Sequence, residues 1–99
     1  MVHPRYASTA VLVRPEPNGG FEILLTRRPS EMRFLGGYYV FPGGTVHADD
    51  YHPEMLSRCR GLSGEEAQRI LNGRHEPEQA LGHWVAAFRE VFEEVGLLL

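Results

Sequence analysis

The chain is poor in everything that would mark it as disulfide-stapled, membrane-spanning or nucleic-acid binding. It has one cysteine, Cys59, in 99 residues. A single thiol closes no internal disulfide, which excludes a disulfide framework and fits a reducing, cytoplasmic compartment. No apolar run reaches the roughly 18 residues that a spanning helix needs. The segment around Arg5 lacks a long apolar stretch, so no signal peptide is expected. Positive charge is in deficit: 10 Lys and Arg against 13 Asp and Glu leave a net charge of −3 with His neutral. There is accordingly no basic footprint for nucleic acid, and nothing to draw the chain to an anionic membrane. An anionic substrate has to be met by local cations or by a metal. What remains is an ordinary globular balance, 42% apolar and 23% charged, enough for one small domain.

The order of patterns along the chain is strands, a glycine segment, then helices. Ala7 to Arg14 reads as a strand around Ala10-Val11-Leu12-Val13. Pro15 to Gly20 is a turn rich in the residues that positive φ demands, and Phe21 to Thr26 is a second strand completing a hairpin. Tyr38 to Phe41 is a short third strand, stopped by Pro42-Gly43-Gly44. Tyr38 and Tyr39 alternate, which turns one inward. Glu54 to Arg60 suits a short helix. Ser63-Gly64-Glu65-Glu66 is a capping box that starts a helix to about Leu71. Pro77 fits the first turn of a long helix that runs to Val95 and closes on Gly96. This order is α+β. Three strands and one long helix do not cover both faces of a sheet, and Leu97-Leu98-Leu99 read as the start of a buried strand. The expectation is that the 99 residues form the first part of a longer domain.

The long helix carries the most chemistry. At about 100° per residue, Glu90, Glu93 and Glu94 share one side, opposite an apolar stripe of Leu81, Trp84, Val85, Phe88, Val91, Phe92 and Val95. Like charges at i,i+4 repel. Three oxygen donors clustered in this way suit a hard cation, Mg²⁺ or Mn²⁺, although a solvated acidic face has the same pattern. Phe41-Pro42-Gly43-Gly44 has two readings as well. It is a turn, or a place where backbone groups approach a ligand closely.

Arg89-Glu90-Val91-Phe92-Glu93-Glu94-Val95-Gly96-Leu97 resembles, at every fixed position, the second half of the Nudix box, R-E-U-x-E-E-x-G-U with U aliphatic. Gly44 to Asp50 keeps the G-x5-E spacing of the first half, with aspartate for glutamate. In place of the usual seven residues before the arginine, this chain has the 38 from Tyr51 to Phe88, and residues 51–80 read as an insertion. Upstream, Leu24-Leu25-Thr26-Arg27-Arg28-Pro29, Arg33, Gly37 and Phe41-Pro42-Gly43-Gly44 are similar to the signature of coenzyme A diphosphatases in that family, with Pro29 where serine is usual.

The resemblance implies an α/β/α Nudix sandwich and a metal-dependent hydrolase of a nucleoside diphosphate linked to another group, coenzyme A or an acyl-coenzyme A first. It implies that Glu90, Glu93 and Glu94, with the Gly43 carbonyl, hold Mg²⁺ or Mn²⁺. Glu90 also stands as the base, Glu93 is among the catalytic residues and Arg89 orients a glutamate. It further implies that Arg28, Arg33, Gly37 and Gly44 bind substrate, and that Asp50 ties the loop to the helix. ADP-ribose or a nucleotide sugar, and a Nudix-like binding module without turnover, stay open. So does a homodimer. The partner expected is a small-molecule diphosphate, with neither nucleic acid nor membrane. His47, His52, His75 and His83 have irregular spacings and no matching cysteine set, which argues against zinc.

Overall fold

The computed structural model describes residues 5–99. Six short strands come first: β1 (Ala7–Thr9), β2 (Val13–Pro15), β3 (Phe21–Ile23), β4 (Thr26–Arg27), β5 (Tyr39–Val40) and β6 (Gly43–Thr45). A 3₁₀ turn (Ala48–Tyr51) and three helices follow, α1 (Pro53–Leu56), α2 (Gly64–Ile70) and α3 (Pro77–Val95). Among the described residues no helix is long and apolar enough to cross a membrane.

The strands form three antiparallel pairs, β1 with β6, β2 with β3 and β4 with β5. The expected strand from Ala7 to Arg14 is split because it changes partner. Ala10 N–H still bonds the Pro42 carbonyl at 2.8 Å, whereas the Leu12 carbonyl accepts from Leu24 N–H at 3.0 Å. The second expected strand breaks for the same reason, between β3 and β4. The hairpin is present, in the register Val13↔Ile23. Gly19 and Gly20 take φ of 92° and 79° in its turn.

Two further expectations need correction. Gly43 and Gly44 do not stop a strand; they form one, paired with Thr9 and Ser8 of β1. A Cβ on Gly43 would collide with the Ser8 carbonyl oxygen. The glycine pair is therefore needed for close strand approach rather than for a turn. Tyr38 and Tyr39 do not alternate between inside and outside, because both are exposed. The ladder between β4 and β5 is two residues long, and its partly buried members are Thr26 and Val40.

The helices follow their local signals closely. Ser63 Oγ accepts from Glu66 N–H at 3.1 Å while a Glu66 oxygen accepts from Ser63 N–H at 3.3 Å, a reciprocal cap. Pro77 occupies the first turn of α3, and Gly96 closes it in the left-handed region at φ 73°. Ala67 of α2 packs on Ala80 and Leu81 of α3, surrounded by Leu56, Cys59, Leu62, Leu71 and Trp84. Gly82 is explained by its neighbour: an added Cβ would lie 2.9 Å from Tyr51 Cβ. Of the apolar stripe, Leu81, Val85 and Val91 are buried, but Phe88 and Phe92 are half exposed along an open groove. α3 also leans on β1 and β6, where Ser8 Oγ donates to the His83 carbonyl at 2.7 Å.

Candidate active site

The site is built where the last three turns of α3 meet β6. Ser8 and Gly44 face each other, as do Ala10 and Pro42. In an antiparallel ladder the bonded pairs alternate. With Ala10 bonding Pro42, Gly43 falls in a non-bonded pair, so both its N–H and its carbonyl point away from β1. That backbone acts on Glu94, whose pKa it lowers.

Gly44 takes the other carboxylate. A Cβ there would sit 2.5 Å from Glu90 Cδ and 2.6 Å from Glu90 Oε1. Only hydrogen at this position lets the carboxylate lie flat on the strand. Glu90 and Glu94 are also within hydrogen-bonding reach of each other. Burial, and then the neighbouring Glu90, push the Glu94 carboxyl above its usual range, against the Gly43 N–H and the Arg28 guanidinium, which pull it down.

Arg89 holds the centre. Its five N–H donors are all used. Nε donates to Asp50 Oδ1 at 2.8 Å and Nη2 to Asp50 Oδ2 at 3.0 Å. Nη2 also donates to the Thr45 carbonyl at 2.9 Å, and Nη1 to Glu90 Oε1 at 2.7 Å and Glu93 Oε2 at 3.2 Å. Asp50 is 2% exposed and also accepts from His47 N–H at 2.8 Å. Burial raises its pKa, but the Arg89 bonds and the His47 N–H outweigh that, and the carboxyl is held below its usual range. The same pair, partly opposed by burial and aided by Glu90, raises the pKa of Arg89.

Of the expected metal donors, the fold brings Glu90, Glu94 and the outward backbone of Gly43 together. Glu93 is turned to Arg89 and more than half exposed. Among the described residues no three His, Cys, Asp or Glu side chains converge as a ready metal cluster. The donor set still fits a hard divalent ion. Two carboxylates held against each other raise the pKa of one of them, and a cation between them removes that cost. Glu93 would join through rotation about its own side chain.

The expected substrate residues divide. Arg28 is half-buried, its Nε donating to the Phe34 carbonyl at 2.7 Å and its Cζ lying 5.8 Å from the Phe34 ring centroid. Its positive charge lowers the Glu94 pKa. Gly37, at φ 80°, donates its N–H to the Arg28 carbonyl at 2.9 Å and accepts from Arg27 Nε at 3.2 Å. It shapes the loop that carries Arg28. Arg33 is exposed on the same loop. Sequence reasoning missed the Thr45 carbonyl and Ser8, because a backbone acceptor leaves no trace in residue types. It also missed the contact of Tyr6 with His75 and His83, whose separations have no period.

No family model matches the chain. The chain is 35% identical over 105 residues to the Acyl-coenzyme A diphosphatase NUDT19 of Gallus gallus, covering 86% of this chain. It is 31% identical over 107 residues to the Homo sapiens protein of the same name, covering 87%. The chain spans 28% of the length of each of these relatives. A crystal structure of a NUDIX hydrolase from Alicyclobacillus acidocaldarius matches all of this chain and 40% of its own, with a TM-score of 0.76 and 35% identity. The likeness read from the motifs and the α+β class are both borne out.

Proposed function

This chain is a Nudix-family chain of the type that resembles coenzyme A diphosphatases, and on that premise we propose that it carries the catalytic helix of a metal-dependent diphosphate hydrolase. Its substrate is a nucleoside diphosphate linked to another group, with coenzyme A or an acyl-coenzyme A first. The observation that carries the reading is the pair Glu90–Glu94 laid on Gly43 and Gly44, with Arg89 clamped behind it. Two relatives are named as acyl-coenzyme A diphosphatases, which supports the choice of substrate. The site works inside an acidic chain, which favours a small-molecule partner over nucleic acid. The lone thiol of Cys59 fits a cytoplasmic setting.

In this reading Glu90, Glu94 and the Gly43 carbonyl hold Mg²⁺ or Mn²⁺, with Glu93 completing the set. When bound, the ion neutralises diphosphate charge and makes attacking water more acidic. Arg89 fixes the Glu90 carboxylate through one oxygen and leaves the other free to take a proton from water or to bind metal. Gly44 supplies the flat surface on which that carboxylate lies. Arg28 offers a cation to the phosphates, and Arg33 is exposed on the loop shaped by Gly37. Within the insertion at residues 51–80, α2 packs on the first half of α3 through Ala67 against Ala80 and Leu81.

The intact protein incubated with coenzyme A and Mg²⁺ should release 3′,5′-ADP and phosphopantetheine. Glu93→Gln and Glu94→Gln should abolish most metal-dependent turnover. Cleavage of ADP-ribose or a nucleotide sugar in place of coenzyme A would reject the substrate and keep the class. Metal-independent binding that survives both substitutions, with no hydrolysis, would identify a binding module instead.

A further inference from the structure

At the other end of the contact between α3 and the β1–β6 pair lies an open cavity of about 360 Å³. Arg5, Tyr6, His47, His75, Gln79 and His83 are among the residues that line it, and none of the lining side chains is a carboxylate. They come from four separate segments of chain. The His75 and His83 rings lie 4.5 Å apart between centroids, and Tyr6 meets His75 edge-on at 4.6 Å. His83 Nδ1 is 2.9 Å from the Gln79 carbonyl oxygen. A carbonyl only accepts, so Nδ1 carries the proton and Nε2 is left for another partner. Burial, then the positive fields of His83 and Arg74, hold His75 below its usual pKa. In a chain of net charge −3, basic groups are thus collected where no lining acid balances them.

Two ligand chemistries suit paired imidazoles. A transition metal takes two Nε2 lone pairs, but Arg5 and Arg74 set a positive field against a cation. Among the described residues no third His, Cys, Asp or Glu completes a metal cluster. A tetrahedral anion instead uses donors arriving from several directions, as the Arg5 guanidinium and an imidazole N–H can supply. We propose that this cavity binds a phosphoryl group, held between Arg5 and the His75–His83 pair. It is separate from the acidic site. His83 is two turns from Glu90, about 10.5 Å along the helix, and β1 and β6 cover α3 between them. The phosphoryl group comes either from the diphosphate substrate or from an independent phosphorylated ligand.

The test is titration of the intact protein with inorganic phosphate, followed through its histidine imidazole resonances. His75 and His83 should shift saturably. Arg5→Gln, a substitution outside the strands and helices, should weaken the response about tenfold through loss of one charge-assisted contact. Coenzyme A is then added. Displacement of phosphate from the histidine pair assigns the group to the substrate, and independent binding assigns it to a second ligand. The proposal is overturned if phosphate leaves both histidines unmoved, if Arg5→Gln changes nothing, or if Zn²⁺ alone moves them. The phosphate titration needs no turnover, so its failure is distinguishable from failure of the hydrolase reading.

Discussion

Replacing Asp50 with Asn is the sharpest probe of how the site is held. The carboxylate is almost fully buried. Oδ2 accepts from both His47 N–H and Arg89 Nη2, and Oδ1 accepts from Arg89 Nε. An amide has one oxygen. Its best placement keeps the two bonds at the Oδ2 position and turns NH₂ toward Nε–H, donor against donor. One charge-assisted bond is lost, worth about 1.5–3 kcal/mol. The guanidinium is 23% exposed, which discounts the charge attraction lost with it. Breaking one side of such a largely buried pair should cost about 3 kcal/mol, read by urea unfolding followed through Trp84, the single tryptophan. The pH dependence has a definite sign. Asp50 has a depressed folded pKa, so its contribution is present above the unfolded carboxylate pKa of about 3.9. It is lost as pH falls from there through the folded value. The gap between the native protein and Asp50→Asn should therefore be constant near neutrality and close in acid. A cost below about 1 kcal/mol, the level of a surface ion pair, or a gap that persists in acid, would refute the clamp.

The two glycines of β6 should fail in different ways. In Gly44→Ala the new methyl meets the mobile end of Glu90, so stability should change by less than about 1 kcal/mol while hydrolysis falls by about a hundredfold. Unchanged turnover would show that the carboxylate does not act from that surface. In Gly43→Ala the methyl meets backbone of β1, which cannot swing aside, and unfolding should become easier by about 1–3 kcal/mol. A variant as stable as the parent in urea would contradict the strand spacing described. Ser63→Ala removes one half of the reciprocal cap on α2 and should cost about 1 kcal/mol; circular dichroism melting that shows no loss would mean the helix is held by packing alone.

Local rules served well wherever one segment decided its own shape. The Ser63 cap, Pro77 at the start of α3 and Gly96 at its end were legible because each is a short-range hydrogen-bonding or φ requirement. The acidic face was legible because Glu90, Glu93 and Glu94 share one helix. The strands were legible as apolar runs, but not their breaks, because a change of partner at Val11 depends on Pro42 and Leu24, far away in the chain. The Gly43–Gly44 pair was misread as a stop because the collision that requires glycine involves Ser8, 35 residues upstream. Phe88 and Phe92 belong to the stripe by period. Burial, unlike period, depends on what lies across from them.

The separation of the two half-motifs raises a physical question, which the Arg89 clamp answers. Between Asp50 and Arg89 lie 38 residues, against about seven in the uninterrupted motif. Loop closure cost grows only logarithmically, so the longer connection adds about 1.5 kcal/mol. The bonds that Arg89 makes across the closed loop, to Asp50 and the Thr45 carbonyl, offset that small cost. The intervening chain also contributes its own burial through Ala67 and Leu62 against Ala80 and Leu81. Sequence adjacency is therefore not required for the motif to assemble. What is required is that Arg89 reach Asp50, Thr45, Glu90 and Glu93 at once, and all five of its donors are committed to that task. A lysine at position 89 has three donors on a single nitrogen and no planar fork. It could not span the same partners, so Arg89→Lys should lose the alignment of Glu90 while keeping the charge. Turnover should fall and the unfolding midpoint should drop as well, because lysine leaves part of the buried Asp50 carboxylate without a donor. Full turnover in the lysine variant would mean that charge alone organises the site.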